Sequence, residues 1–156
     1  MKKKLLAVKD VNTRFGKISI NLEYSINFPA GLLGMPRAKN FCLTHFPDKK
    51  YDIYKLLQSI DEDELCFLIV PLSPQHFADE KSLIARSDVL SAIKSLEIVE
   101  SNVQLLLVAT IHHDIKARQS KVSVNLKAPI IIDTERMFGV QHVFLKEGYS
   151  LQYFLT

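Results

Sequence analysis

The sequence predicts a mainly β, antiparallel, barrel-like single domain covering residues 1–156, with roughly nine or ten strands and a short helical insertion near 79–97. Most apolar residues alternate with polar ones or form short runs of strand length. Only one segment has apolar residues at helical spacing, so strands do not alternate with helices and a doubly wound parallel sheet is disfavoured. At 156 residues the chain is long enough for a substantial core.

The amino-terminal part shows the clearest strand pattern. In RFGKISINLEY, residues 14–24, apolar Ile18, Ile20 and Leu22 alternate with polar residues, and Gly16 marks a turn or bulge at the start. The next segment, INFPAGLLGMP, holds two glycines and two prolines within residues 26–36, which indicates a structured loop. Its expected apolar anchors are Phe28, Leu32, Leu33 and Met35.

The remaining elements follow from short apolar runs and from one helical pattern. Residues 87–96, SDVLSAIKSL, have a Ser or Asp start and apolar residues at helical spacing, so they predict the helix. The segment VSVNLKAPIIID, residues 122–133, predicts a strand that Pro129 places at an edge or bulge, because proline cannot donate a ladder hydrogen bond. The other predicted strands are residues 39–46, 51–61, 64–72, 103–112, 140–145 and 150–155.

The cysteines and the lack of a long apolar run predict a soluble protein of the cytoplasm. The net charge of +3 combines a basic first part with an acidic middle, a pattern that suits a protein partner, self-association or a mixed solvated surface. Cys42 and Cys66 lie in apolar runs and are expected to be buried free thiols. The start MKKKLLAVKDV has too short an apolar part for a signal peptide, and no run is long enough to span a membrane.

Motifs for catalysis, metals or phosphate are weak. His112 and His113 are adjacent on a predicted strand, so their imidazoles point to opposite faces. The acidic run 61–64 lacks the spacing and the glycine of a calcium loop. Neither a nucleophile elbow nor a phosphate-binding loop is present, and five glycines are few for a nucleotide enzyme. No cofactor is expected, and an enzyme would need a polar pocket with converging titratable groups.

A small barrel that binds single-stranded nucleic acid is the main alternative. Aromatic residues stand near lysines in the first half of the chain, as such barrels require. The aromatic residues are Phe41, Phe46, Tyr51 and Tyr54, and the lysines are Lys39, Lys49, Lys50 and Lys55. Their spacing does not select one face, and a core role explains the aromatic residues equally well.

Four segments resemble, in order, the bacterial flagellar assembly factor family FliW. They are RFGKISI, INFPAGLLGM, LLQSIDEDELCFLIV and VNLKAPIIIDTERMFGVQHV, and together they span roughly residues 13–145. The last resembles an N-L-x-A-P-[IV] strand that leads through a D-T turn into a G-x-Q strand. Its matching positions are Asn125, Leu126, Ala128, Pro129, Ile130, Thr134, Gly139 and Gln141.

The resemblance implies a compact β-barrel-like domain without enzymatic activity. It also implies two partners, flagellin and the carbon storage regulator CsrA. In that family, binding CsrA keeps this regulator off flagellin mRNA, and accumulated flagellin captures the assembly factor and frees CsrA to repress translation. The expected mode of action is therefore partner switching, with no membrane and no direct nucleic acid involved.

The predicted partner-binding residues combine the motif positions with one physical argument. Asn125 and Lys127 share one face at a spacing of two residues, so an edge strand would present both to a partner. The alternative is a solvated polar face above a core of Leu126 and Ile130. The full predicted set is Phe28, Pro29, Gly31, Gly34, Gln58, Ser59, Asn125, Lys127, Pro129 and Gln141.

Overall fold

The computed structural model describes residues 7–155, which form eleven strands and two α-helices. The strands are β1 (Val8–Thr13), β2 (Gly16–Asn21), β3 (Ser25–Asn27), β4 (Asn40–His45), β5 (Lys55–Ser59), β6 (Cys66–Leu72), β7 (Val103–Asp114), β8 (Gln119–Val124), β9 (Ile130–Asp133), β10 (Phe138–Gln141) and β11 (Tyr153–Leu155). The helices are α1 (Pro74–Phe77) and α2 (Arg86–Lys94). Short 3₁₀ turns lie at Leu22–Tyr24, Lys49–Tyr51 and Glu100–Asn102. The predicted mainly β class is confirmed.

Seven of the strands close into a barrel. From β3 the pairing runs through β4, β5, β6 and β7 to β9 and β10, and β10 returns to β3. The pairing of β7 with β9 closes this ring. All pairs are antiparallel except that of β10 with β3, which is parallel. The sequence predicted a mostly antiparallel barrel, and the structure has this one parallel pair within it.

Alternate side chains of the barrel strands fill its interior. This inner cluster includes Phe41, Leu57, Ile69, Leu106, Ile130 and Ile132. Phe28 adds a fully buried ring that meets Phe41 edge to face, with ring centroids 5.3 Å apart. The strict period of two explains why the neighbouring residues Cys42, Leu56 and Leu68 belong to a different cluster.

The outer cluster covers the other face of the same strands. The β1–β2 hairpin contributes Val11, Ile18 and Ile20. The alternation from residue 14 predicted the two isoleucines, but the sequence did not predict β1. The strand ends at Asn21, because this side chain accepts a hydrogen bond from the Glu23 amide (3.0 Å) and starts a 3₁₀ turn. Leu22 therefore leaves the predicted strand.

The helical insertion also packs on the outer cluster. α2 lies within the predicted segment 79–97 and buries Val89, Ala92 and Ile93 on one face. It begins at Arg86, and the hydroxyl of Tyr149, far along the chain, accepts a hydrogen bond from the Ala85 amide at its amino end (3.0 Å). No helix among residues 7–155 has the length and apolar character that a membrane span requires.

The segment predicted as one strand over residues 122–133 is divided into β8 and β9. Both pair with β7, and the five residues 125–129 bulge out opposite Leu107 and Val108. The prediction that Pro129 lies at an edge or bulge is confirmed. Asn125 and Lys127 do not share the face of an edge strand, because neither belongs to a regular strand.

Candidate functional site

Three of the sequence motifs meet on one side of the barrel, here called the loop surface. It consists of the loop 28–38, the bulge 125–129 and the β5–β6 turn at residues 60–65. The turn reaches the loop where Glu62 and Leu65 border Met35 and Ala38 around a shallow depression of about 260 Å³. Segments that are up to about 100 residues apart in the sequence thus form one continuous surface.

The loop 28–38 is held by buried side chains and by its own backbone. Phe28 and Leu32 are buried, and Leu32 and Met35 exchange backbone hydrogen bonds of 3.1 and 2.8 Å. Gly31 has φ +68°, and a Cβ there would lie 2.5 Å from the carbonyl oxygen of Met35, so only glycine fits. Leu33 is not the anchor that the sequence suggested, because it is 52% exposed at the tip.

Gln141 connects this loop to the bulge. Its Oε1 accepts a hydrogen bond from the backbone amide of Leu33 (2.9 Å), and its Nε2 donates to the carbonyl of Ala128 (3.1 Å). Both ends of the side-chain amide are therefore used for contacts within the chain.

The bulge is organised by its own polar side chains. Asn125 Oδ1 accepts from the Ala128 amide (3.0 Å), and Lys127 Nζ donates to the Phe144 carbonyl (3.1 Å). Pro129 is buried, and its carbonyl accepts from the His142 amide (2.9 Å). A proline is compatible with this place because the position requires an acceptor and no donor.

The β5–β6 turn depends on Gln58 and Ser59, which are both buried. Gln58 Nε2 donates to the carbonyls of Ser59 and Asp63, both at 3.0 Å, and Ser59 Oγ accepts from the Glu62 amide (3.0 Å). These contacts satisfy backbone groups that the turn leaves without ladder partners. Gln58 and Ser59 of the segment LLQSIDEDELCFLIV thus shape the acidic turn from inside the protein.

The ten predicted partner-binding residues differ in what they present to solvent. Five lie in the interior: Phe28, Gly31, Gln58, Ser59 and Pro129. Asn125, Lys127 and Gln141 are half-buried, and Pro29 and Gly34 are exposed. The burial of Phe28 agrees with its predicted role as an apolar anchor of the loop, so its ring is not available to a partner. The accessible part of the loop surface centres on Pro29, the exposed Leu33 and Gly34.

His112 and His113 point to opposite faces of their strand, as the sequence indicated. His112 Nε2 lies 2.8 Å from Ser123 Oγ and its ring packs against Phe154, whereas His113 Nδ1 lies 2.8 Å from Ser120 Oγ. Burial lowers the pKa of His142. Within residues 7–155, His, Cys, Asp and Glu side chains do not gather in threes as a metal ion would require.

A second concave surface, here called the aromatic groove, lies on the outer face of the barrel strands. Its walls are formed by Phe15, Phe46, Tyr51, Tyr54, Ile111, Val122 and Phe154. The Phe46 ring centroid lies 6.0 Å from that of Tyr51 and 6.3 Å from that of Tyr54. The sequence spacing selected no common face for these three residues, yet the turn before β5 brings them together. Phe41, the fourth aromatic residue considered, lies inside the barrel.

Other walls of the groove were missed in the sequence. Phe15 lies at the tip of the β1–β2 hairpin, Ile111 and Val122 lie on the β7–β8 hairpin, and Phe154 lies in β11. Each looks like an ordinary strand residue in its own segment. Only the topology reveals that they share a surface, because it places the two hairpins around Leu68 and places β11 beside Val122.

Known proteins resemble this chain over almost its whole length. The family described as "FliW protein" matches residues 9–155. The flagellar assembly factor FliW of Natranaerobius thermophilus is 31% identical over 146 residues, covering 94% of this chain and 91% of that protein. The FliW protein of Borreliella burgdorferi is 34% identical over 128 residues, covering 81% and 89% of the two chains.

A solved structure shows the same fold. The crystal structure of a flagellar assembly factor FliW has a TM-score of 0.66 with this chain at 22% identity, and the match covers 93% of this chain and 95% of the other. The family match spans all four segments that resembled FliW in the sequence. The chain belongs to the FliW family of flagellar assembly factors.

Proposed function

We propose that this protein acts in the cytoplasm, without enzymatic activity or cofactor, by binding flagellin and the translational regulator CsrA. Binding CsrA would relieve its repression of flagellin mRNA translation, and free flagellin would displace CsrA. The observation that carries the proposal is the family match over residues 9–155, which includes every segment of the loop surface.

The loop surface suits a binding role because its shape is fixed before any partner arrives. The side chains of Gln141 and Gln58 form hydrogen bonds with backbone groups of the chain. Gln141 thereby positions the loop, and Gln58 positions the turn. A preformed surface avoids part of the entropy loss that ordering a loop on binding costs. The accessible residues Pro29 and Gly34, with the half-buried Asn125 and Lys127, remain the proposed contacts.

The first experiment is isothermal titration calorimetry of the purified protein with flagellin and with CsrA, each from the same organism. We expect saturable binding to both partners, and we expect flagellin to displace CsrA from a preformed complex. Absence of heat and of co-elution with either partner at micromolar concentration would refute the proposal. Binding to both at once, without displacement, would refute partner switching and leave a scaffold role.

A second experiment addresses the loop surface itself. Leu33→Ser removes an exposed apolar side chain next to Pro29 and leaves the backbone amide that Gln141 holds. Val99→Ser is the matched control, because Val99 is a similarly exposed aliphatic residue outside the loop surface. A weaker partner affinity in Leu33→Ser alone would support contact at this surface. Equal affinities in both variants would place the contact elsewhere.

A further inference from the structure

The aromatic groove is a second concave surface, distinct from the loop surface. Its central part, between Tyr54, Ile111 and His113, has a volume of about 400 Å³, and the buried Leu68 lines it. It continues toward the β1–β2 turn and toward β11 through side chains that line both neighbouring depressions, such as Tyr54. Five separate segments of the chain thus line the groove.

The groove exposes more apolar surface than isolated surface residues would. Ile53 is 61% exposed and Phe154 is 43% exposed beside one depression, and Ile111 is 36% exposed beside the next. Tyr54 and Val122 line both depressions. Clustered apolar side chains of this kind mark interaction sites in soluble proteins. The rings of Phe15, Phe46 and Tyr54 also pack on the outer cluster, so the groove has a firm base.

The rim of the groove is positively charged. Four cationic side chains line it, namely Arg14, Lys17, Lys49 and Lys121, and they face a single lining carboxylate, Asp52. The salt bridges found among residues 7–155 use Lys9, Arg86, Arg136 and Lys146. The rim cations therefore keep their charge available, and they favour an occupant with acidic side chains.

The walls fit a polypeptide better than a nucleic acid. Single-stranded nucleic acid binds by stacking bases on exposed aromatic faces. Here Phe46 is surrounded by Phe15, Tyr51 and Tyr54, and the ammonium of Lys50 lies 5.6 Å from the centroid of the Tyr51 ring. The wall also includes the aliphatic side chains of Ile53, Ile111 and Val122, which offer no stacking face. Apolar side chains of a peptide can fill such a wall without special geometry.

We propose that the aromatic groove binds an acidic amphipathic segment of a protein partner, with its apolar face on Tyr54 and Ile111 and its carboxylates at the lysine rim. The inference rests on the proposed function, because it states where and by what chemistry one of the two protein partners is held. The first six residues of this chain include three lysines, so their charge does not match that of the expected occupant.

The test compares groove variants with a matched control in the full-length protein. Ile53→Asp/Ile111→Asp places two carboxylates on the exposed wall, and Lys49→Glu/Lys121→Glu reverses two rim charges. Val99→Asp/Lys94→Glu makes changes of the same kind at exposed positions outside the groove. Circular dichroism and thermal melts show which variants are folded. If the wall variant Ile53→Asp/Ile111→Asp does not fold, the rim variant Lys49→Glu/Lys121→Glu still tests the inference.

Calorimetry with flagellin and with CsrA gives the decisive readout. We expect each folded groove variant to lose affinity for one of the two partners by about tenfold or more, because like charges would then meet across the interface. The control should bind both partners as the unmodified protein does. Unchanged affinities in the groove variants would overturn the inference and leave the proposed function intact. Absence of binding by the unmodified protein would instead refute the proposed function.

Defined probes then test the occupant independently of either partner. One is an 18-residue amphipathic peptide with a leucine face and glutamate flanks, one has lysine in place of glutamate, and one is a single-stranded oligothymidylate. We expect the acidic peptide alone to bind, more weakly at high salt, and to lose binding in the groove variants. A preference for the lysine peptide, or groove-dependent binding of the oligonucleotide, would overturn the inference.

Discussion

The side-chain amide of Gln141 holds the backbone of Leu33, a residue 108 positions away in the sequence. The bond from the Leu33 amide to Gln141 Oε1 measures 2.9 Å, and the other end of the same amide reaches Ala128. The motif suggested Gln141 as a partner contact, but its side chain forms hydrogen bonds within the chain. It joins the loop 28–38 to the bulge 125–129.

Replacing Gln141 should loosen the loop surface. Gln141→Ala removes two hydrogen bonds in a partly buried place, so we expect the free energy of unfolding to fall by about 1–2 kcal/mol. Urea denaturation followed by circular dichroism measures this change, and hydrogen exchange should show faster exchange at the Leu33 amide. Gln75→Ala, at an exposed position in α1, is the control and should leave both quantities nearly unchanged. Equal stability of the two variants would show that the bridge contributes little.

Gly139 is a residue at which packing inside the barrel leaves no room for a side chain. A Cβ at this position would lie 2.5 Å from Cε2 of Phe28 and 2.8 Å from Cδ1 of Ile132, both inside the barrel. We expect Gly139→Ala to destabilise the protein by about 1–3 kcal/mol through overpacking. Thermal and urea unfolding measure the loss. In the double variant Gly139→Ala/Phe28→Leu the smaller side chain should absorb part of the strain, so strictly additive losses would contradict this explanation.

The sequence predicted most of the barrel because strand formation leaves a local trace. Alternation at Ile18 and Ile20, the apolar run of β6 and the punctuated loop near Gly31 all appear within a few residues. The closure of the barrel leaves no such trace. It depends on β7 pairing with β9 and on the parallel contact between Phe138 and Asn27, which are long-range events.

The candidate site was predictable only in part for the same reason. The motifs located three segments that lie together on one surface, namely the loop, the turn and the bulge. They could not show that polar residues such as Gln58 and Ser59 face inward, because their burial depends on the three-dimensional packing of the turn. The aromatic groove was missed because Phe15 and Ile111 belong to separate hairpins.

The end of α2 offers a stabilising substitution. Glu97 has φ +55°, and the Ile98 amide reaches back to the Ile93 carbonyl (3.3 Å) in the pattern that favours glycine after a helix. Glu97→Gly should raise the free energy of unfolding by about 0.5–1 kcal/mol, because glycine adopts this conformation without strain. Glu97→Ala is the control, since it removes the charge and keeps the strain. An equal gain in both variants would assign the effect to charge instead.

The two thiols should be unreactive in the folded protein. Burial raises the pKa of Cys42, and burial raises the pKa of Cys66 to about 11, with the Arg14 charge opposing it. Because the thiolate is the reactive form, roughly one Cys66 thiol in a thousand is ionised at pH 8. We expect iodoacetamide to modify neither cysteine of the folded protein at pH 8. It should modify both in about 6 M guanidinium, which unfolds the chain.

The same shift predicts how stability depends on pH. The unfolded chain ionises its thiols near their usual pKa of about 8.5, while the folded chain keeps Cys66 protonated to about pH 11. The unfolded state therefore binds fewer protons between these values, and the free energy of unfolding should fall as the pH rises through this window. Cys66→Ala, measured by urea unfolding at pH 7.5 and at pH 10 (roughly one unit below and 1.5 units above the usual thiol pKa), should show a smaller fall than the unmodified protein. An identical fall in both would remove Cys66 as its source.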